Sequence, residues 1–135
     1  MGKEQKIIII NNPVIEEKVY QLATEPIEHP WFQKDSLKEI PVILAVGRLV
    51  KIKDYPNLLN AFDKVLKQKK SRLVVLGRGP EEKALKELAK NLGISEGIAF
   101  LGFQKNPYHY MKNASVFVLS SFQEGFGNVI IEAMA

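Results

Sequence analysis

The chain has 135 residues, room for one domain, and its 46% hydrophobic and 25% charged content is that of a folded protein rather than a disordered one. Lys and Arg number 19 against 15 Asp and Glu, a net charge of +4, and the absence of cysteine excludes disulfides and Cys-ligated metals. No apolar run approaches the roughly 18–20 residues that span a bilayer. The four isoleucines Ile7 to Ile10 are too few for a signal peptide, and no small-residue cleavage site follows them. A reducing, cytoplasmic location is compatible with all of this.

Residues 1–40 read as a lead and residues 41–135 as a compact block. In the lead, Lys6 to Ile10 predicts a short strand, broken by Asn11-Asn12-Pro13. Val14 to Thr24 has Ile15, Val19 and Leu22 at helical spacing. Glu25-Pro26 and His29-Pro30-Trp31-Phe32 read as an irregular connector, because a residue before proline leaves the helical region.

The block alternates two signals. Four apolar runs, 42–46, 72–76, 98–101 and 116–119, each end in Gly or Ser. They lack polar alternation, so the strands should be buried on both faces, as in a parallel sheet. Between them lie helical stripes. The first starts at Pro56 and carries Leu58, Leu59, Phe62, Val65 and Leu66. The second starts at Pro80-Glu81-Glu82, carries Ala84, Leu85, Leu88, Ala89 and Leu92, and stops at Gly93. A short third has Asn106 as cap and Pro107 in its first turn, and a fourth starts near Gly127-Asn128. Strand and helix in alternation predict an α/β fold, a Rossmann-like doubly wound parallel sheet. Such a half has about five or six strands. Four are visible in the block, so the pattern reads as a fragment.

In a sheet of this kind ligands bind at the C-terminal ends of the strands. Arg48 and Lys53 follow the first run after Gly47, and Glu124 follows the fourth, before Gly125-Phe126-Gly127-Asn128. Glycines there allow close backbone approach, and basic residues beside a helix start make an anion site. One glycine after a strand is ordinary turn chemistry, and the weight lies in the convergence of all these groups on one crevice. Gly77-x-Gly79 is not a dinucleotide fingerprint, since Glu82 stands where the third glycine belongs. Glu132 lies eight residues after Glu124, either an exposed helix residue or a carboxylate accepting ligand hydroxyls. Neither histidine, His29 or His109, has partners at metal-ligand spacing, and Ser120 and Ser121 have none that would make a nucleophile. Lysines crowd the segment 51–72, which reads as the solvated end of a helix, then as a site for phosphate or a membrane surface, and last as a nucleic-acid site.

The stretch from Glu124 to Ala135 resembles the E-x7-E motif of family 4 retaining glycosyltransferases of the GT-B fold. Val46-Gly47-Arg48-Leu49 with Lys53 resembles that family's donor-phosphate segment. Leu76 to Pro80, Phe100 to Phe103 and Asn113 to Ser121 match its intervening landmarks in order, and Asn12-Pro13-Val14 resembles its entry to the nucleotide-binding half. Two positions depart from the pattern: Arg78, where an acid is more usual, and Asp54, where glycine is.

The resemblance implies that residues 41–135 are the C-terminal, nucleotide-sugar-binding half of such an enzyme, incomplete at the C-terminus, with 1–40 as the interdomain lead. Arg48 and Lys53 would then neutralise the donor diphosphate. Glu124 would hold hydroxyls of the transferred sugar, with Gly47 and the segment Gly125, Phe126, Gly127 and Asn128 beside sugar and phosphates. Glu132 would bind the ribose, and Gly102 with Phe103 would border the base. No cofactor and no metal are expected, the nucleotide-diphosphate sugar being a substrate. The partners implied are that donor and an N-terminal acceptor domain, with room for peripheral membrane contact in the full-length enzyme and no nucleic acid. A different reading is a stand-alone nucleotide-sugar-binding module without catalysis.

Overall fold

The computed structural model describes residues 16–33, 40–124 and 127–135. The strand expected at 6–10, like Gly125 and Phe126, lies outside them. Four strands, β1 (Val42–Val46), β2 (Arg72–Leu76), β3 (Ile98–Gly102) and β4 (Val116–Phe117), form one sheet in the order β3-β2-β1-β4. All three pairings are parallel, with Leu44 opposite Val74 and Phe117, and Val74 opposite Ala99.

Helices cover both faces, which is why the strand sequences are apolar throughout. On one face α2 (Tyr55–Leu66) and α3 (Glu82–Asn91) pack Leu58, Leu59, Phe62, Leu85 and Ala89 against Ala45, Leu73 and Val75. On the other, Val42, Leu44, Val74 and Leu76 meet Phe32, Tyr110 and Met111, the last two on α4 (Tyr108–Asn113). Val129 and Ala133 of α5 (Asn128–Met134) join that second layer. The chain therefore winds outward from β1 to β3 along one face. It then returns along the other face to place β4 beside β1, and the sheet's switch point falls between β1 and β4.

Local signals act much as expected. Gly93 ends α3 with a left-handed φ of +71°. The Tyr108 amide donates to Asn106 Oδ1 at 3.1 Å at the start of α4. The Asn106 amide in turn donates to the Leu22 carbonyl at 2.8 Å, satisfying an end group of α1 (Glu17–Leu22). The connector at 30–32 is a single 3-10 turn in which His29 Nδ1 accepts from the Trp31 amide. His109 packs its ring edge-on against Tyr110.

Three details differ from the sequence reading. The last strand is two residues long rather than four, although the Val118 amide still donates to the Leu44 carbonyl at 2.9 Å. Val116 is 53% exposed, because among the described residues β4 is paired on one side only. Val65 and Ala84, counted in the helical stripes, turn away from the sheet.

Candidate functional site

Beyond their last residues the strands stay tied together. The Gly47 amide donates to the Leu76 carbonyl, the Leu49 amide to Arg78, the Gly77 amide to Gly102 and the Glu81 amide to Leu49, at 2.7–3.1 Å. Gly77 makes this possible: with φ at +142°, a Cβ there would lie 1.9 Å from the Gly47 carbonyl oxygen. A Cβ at Gly79 would lie 2.2 Å from the Leu49 oxygen. The glycines of Gly77-Arg78-Gly79 thus serve the close backbone approach expected of glycines at the strand ends, here between two loops.

The loop after β1 turns through a 3-10 segment at Lys51–Lys53 and then through Asp54, whose φ and ψ are both 45°. Among the described residues Asp54 is the one non-glycine with positive φ. This is the position where the family resemblance expects glycine, and the backbone supplies the reason. Immediately after it α2 begins, and the buried Tyr55 donates its hydroxyl to the Gly47 carbonyl at 3.2 Å.

Lys53 and Glu124, 71 positions apart, form an ion pair across the switch point. Two serines complete the link: Ser120 Oγ donates to the Lys53 carbonyl at 2.6 Å, and Ser121 Oγ donates to Glu124 Oε1 at 2.5 Å. The Phe122 amide adds a bond to the Ile52 carbonyl at 2.9 Å. The hydrogen bond from Lys53, and next that from Ser121, hold the Glu124 carboxyl below the usual glutamate range. Burial, and then the Glu124 charge, push the Tyr55 phenol up to about 12. Sequence reasoning assigned the two serines nothing. Their function depends on the placement of Lys53, which no local pattern encodes.

Next to this pair a cleft of about 300 Å³ opens over the ends of β1, β2 and β3. Gly47 and Arg48, Gly77 and Arg78, Phe103 and Gln104, and Pro107 line it. The structure thus gathers Gly47, Arg48 and Phe103 on one cleft and sets Lys53 and Glu124 on adjoining loops. Gly102, with φ +69°, forms the turn before Phe103. Gly127 has the same left-handed φ and leads into α5, whose first residue is Asn128. Glu132, on the second turn of α5, is elsewhere. It lines a different cleft, of about 330 Å³, with Val19 and Tyr20 of α1 and Tyr108, Met111 and Lys112 of α4. Burial there raises its pKa.

The lysine-rich segment does not form one patch. Lys51 and Lys53 stand at the start of α2, while Lys67, Lys69 and Lys70 follow its far end, about 18 Å away at 1.5 Å per residue. Lys67 is paired with Asp63 at 2.6 Å. Among the described residues no three His, Cys, Asp or Glu side chains cluster as a metal site, and no helix is long and apolar enough to cross a membrane.

Residues 29–135 match the family described as Glycosyl transferases group 1. The chain belongs to this family. It is 37% identical over 131 residues to the N-acetylgalactosamine-N,N'-diacetylbacillosaminyl-diphospho-undecaprenol 4-alpha-N-acetylgalactosaminyltransferase of Campylobacter jejuni, covering 97% of this chain and 33% of that protein. To the uncharacterized glycosyltransferase MJ1059 of Methanocaldococcus jannaschii it is 33% identical over 133 residues, 98% of this chain and 32% of that one. Among solved structures, Anabaena Alr3699/HepE in complex with UDP and glucose superposes with a TM-score of 0.67 and 25% identity, over 76% of this chain and 29% of that one. The fold is the α/β fold of GT-B glycosyltransferases. This group 1 chain spans about a third of the length of the curated relatives it matches.

Proposed function

We propose that this chain is the donor-binding part of a retaining glycosyltransferase that moves a sugar from a nucleotide-diphosphate sugar to an acceptor in glycan or glycolipid synthesis. One observation carries the reading: the loops after β1 and β4 meet through Lys53 and Glu124, beside the cleft that Arg48 lines. The arrangement puts two cations and a carboxylate at one end of the sheet, which is the chemistry a sugar diphosphate needs.

In the reaction the bond between the anomeric carbon and the β-phosphate oxygen breaks, and negative charge grows on that phosphate. Arg48 and Lys53 would stabilise it as it grows, which lowers the barrier more than it tightens the ground state. Glu124 would accept hydroxyl hydrogen bonds from the sugar. Its lowered pKa keeps it an acceptor throughout the neutral range. Lys53 links the two halves of the task, because the same ammonium touches Glu124 and would face the phosphate. The acceptor oxygen would attack from the face the phosphate leaves, giving up its proton to that phosphate, so that configuration is retained. The resemblance gives Glu132 the ribose; because Glu132 lines the separate cleft beside α1 and α4, that role requires the ribose to reach that cleft.

The test is titration calorimetry with a nucleoside diphosphate. Replacing Arg48 and Lys53 together with Ala should weaken binding by roughly 2–5 kcal/mol, from about 1.5–3 per charged hydrogen bond with some compensation. Unchanged affinity in the double variant would sink the assignment.

A further inference from the structure

The cleft over β1, β2 and β3 holds two arginines, and the diphosphate reading uses only Arg48. Arg78, just past the end of β2, is exposed; its carbonyl accepts from the Leu49 amide, and its guanidinium makes no hydrogen bond or ion pair to another described residue. Its guanidinium crosses the bare face of Gly102, where a Cβ would lie 3.3 Å from Nε and 3.8 Å from Nη2. Past that glycine, Phe103 is 70% exposed and borders the same cleft. Gln104 donates its amide to the Leu101 carbonyl at 2.8 Å, which leaves its Oε1 free to accept. Among the described residues that line the cleft none carries a carboxylate. One wall thus offers a planar cation with donors only, an aromatic ring and an amide oxygen.

We propose that Arg78 reads the base of the bound nucleotide and selects an oxo base, uracil or guanine, against adenine. The inference rests on the nucleotide-sugar reading above and adds the class of base to it. A guanidinium only donates, so it needs acceptors on the base edge. Guanine presents O6 and N7, and uracil presents its carbonyl oxygens. Adenine places an amino donor where guanine has O6, so donor would face donor and both groups would be left unpaired. Both oxo bases also carry a ring N–H that Gln104 Oε1 can accept, and adenine has none on that edge. Phe103 stacks on any base and contributes affinity without choice. The departure of Arg78 from the family's usual acid then has a consequence in specificity.

The experiment is titration calorimetry of the full chain with UDP, GDP, ADP and inorganic pyrophosphate, for the natural protein, Arg78→Ala and Arg78→Lys. The tighter of UDP and GDP should bind at least about tenfold better than ADP, the scale of one good bidentate pair. Both variants should lose most of that ratio through weaker oxo-nucleotide binding, since Lys keeps the charge but not the fork. ADP and pyrophosphate should hardly change. Uniform weakening of all four ligands in Arg78→Ala, rescued by Arg78→Lys, would place Arg78 on the phosphates and overturn the proposal. An unchanged ratio in both variants, or a natural preference for ADP, would overturn it as well. Should neither nucleotides nor pyrophosphate bind, the nucleotide-sugar reading itself fails and takes this one with it. Should all three nucleotides bind without discrimination, only the base assignment falls. Because Arg78 is exposed, unchanged unfolding midpoints in the variants show that the fold is intact.

Discussion

Glu124 and Glu132 are the same residue type in opposite surroundings. Lys53 and Ser121 donate to Glu124 and lower its pKa, whereas burial beside Tyr108 and Met111 raises that of Glu132. The two should therefore differ in sign as well as in ligand. Stability from Glu124 is present above its ordinary value of 4.5 and is lost as pH falls through the lowered folded value. For Glu132 the folded value is raised, so its contribution is full below 4.5 and is lost as pH rises through that value. Glu132→Gln should accordingly raise the unfolding midpoint at neutral pH and leave it almost unchanged near pH 4, while Glu124→Gln should lower it at neutral pH. Calorimetry tests the ligand roles separately. Glu124→Gln should weaken a nucleotide-sugar and spare the bare diphosphate, and Glu132→Gln should weaken both, each by about 1–3 kcal/mol. A Glu132→Gln protein that is more stable and binds both ligands normally would remove Glu132 from the site.

Among the elements, the loops at the strand ends show how closely packed backbones set the site. Gly77 and Gly93 both have positive φ, but their surroundings differ. A Cβ at Gly77 collides with the Gly47 carbonyl, and one at Gly93 meets nothing within 4 Å. Gly93→Ala should therefore cost only the left-handed conformation, about 1–2 kcal/mol. Gly77→Ala must also separate the β1 and β2 loops, and should cost more than about 4 kcal/mol. Urea unfolding of the two variants decides this. Equal losses would mean that close approach is not what Gly77 supplies. The Gly77 variant should in addition lose diphosphate binding, since Gly47 and Arg48 lie on the loop it displaces. In α2 the same economy of space appears at the start of the helix. Asp54 bends the chain so that Tyr55 reaches the Gly47 carbonyl while Lys53 reaches Glu124.

For the molecule as a whole, the proposed activity requires more than one binding surface. Transfer needs an acceptor oxygen held about 3–3.5 Å from the reacting carbon. The groups at the strand ends are those proposed to hold the donor, and the chain covers about a third of its curated relatives. A polypeptide limited to these 135 residues should bind nucleotide and fail to transfer sugar, although slow hydrolysis of the donor is compatible with its chemistry. A radiolabelled-donor assay with and without acceptor reads this directly. Acceptor-dependent turnover would show that the chain carries its own acceptor site.

The parallel sheet, its helices and the end of the sheet that holds the candidate site were all legible in the sequence. Those features are local: apolar runs of strand length, stripes at helical spacing, and Gly or Ser where a run stops. Arg48, Lys53 and Glu124 could be named because each follows a strand. Contacts set by strand order could not be read. Lys53 meets Glu124 only because β4 returns beside β1, and no spacing along the chain encodes that neighbour. The roles of Ser120 and Ser121, and the need for glycine at 77, follow from the same closeness of loops distant in sequence. Glu132 shows the converse. Its helix was foreseen, but which cleft it faces, and hence the direction of its pKa, was decided by the packing of α5 beside α1 and α4, because burial is a property of neighbours rather than of residue type.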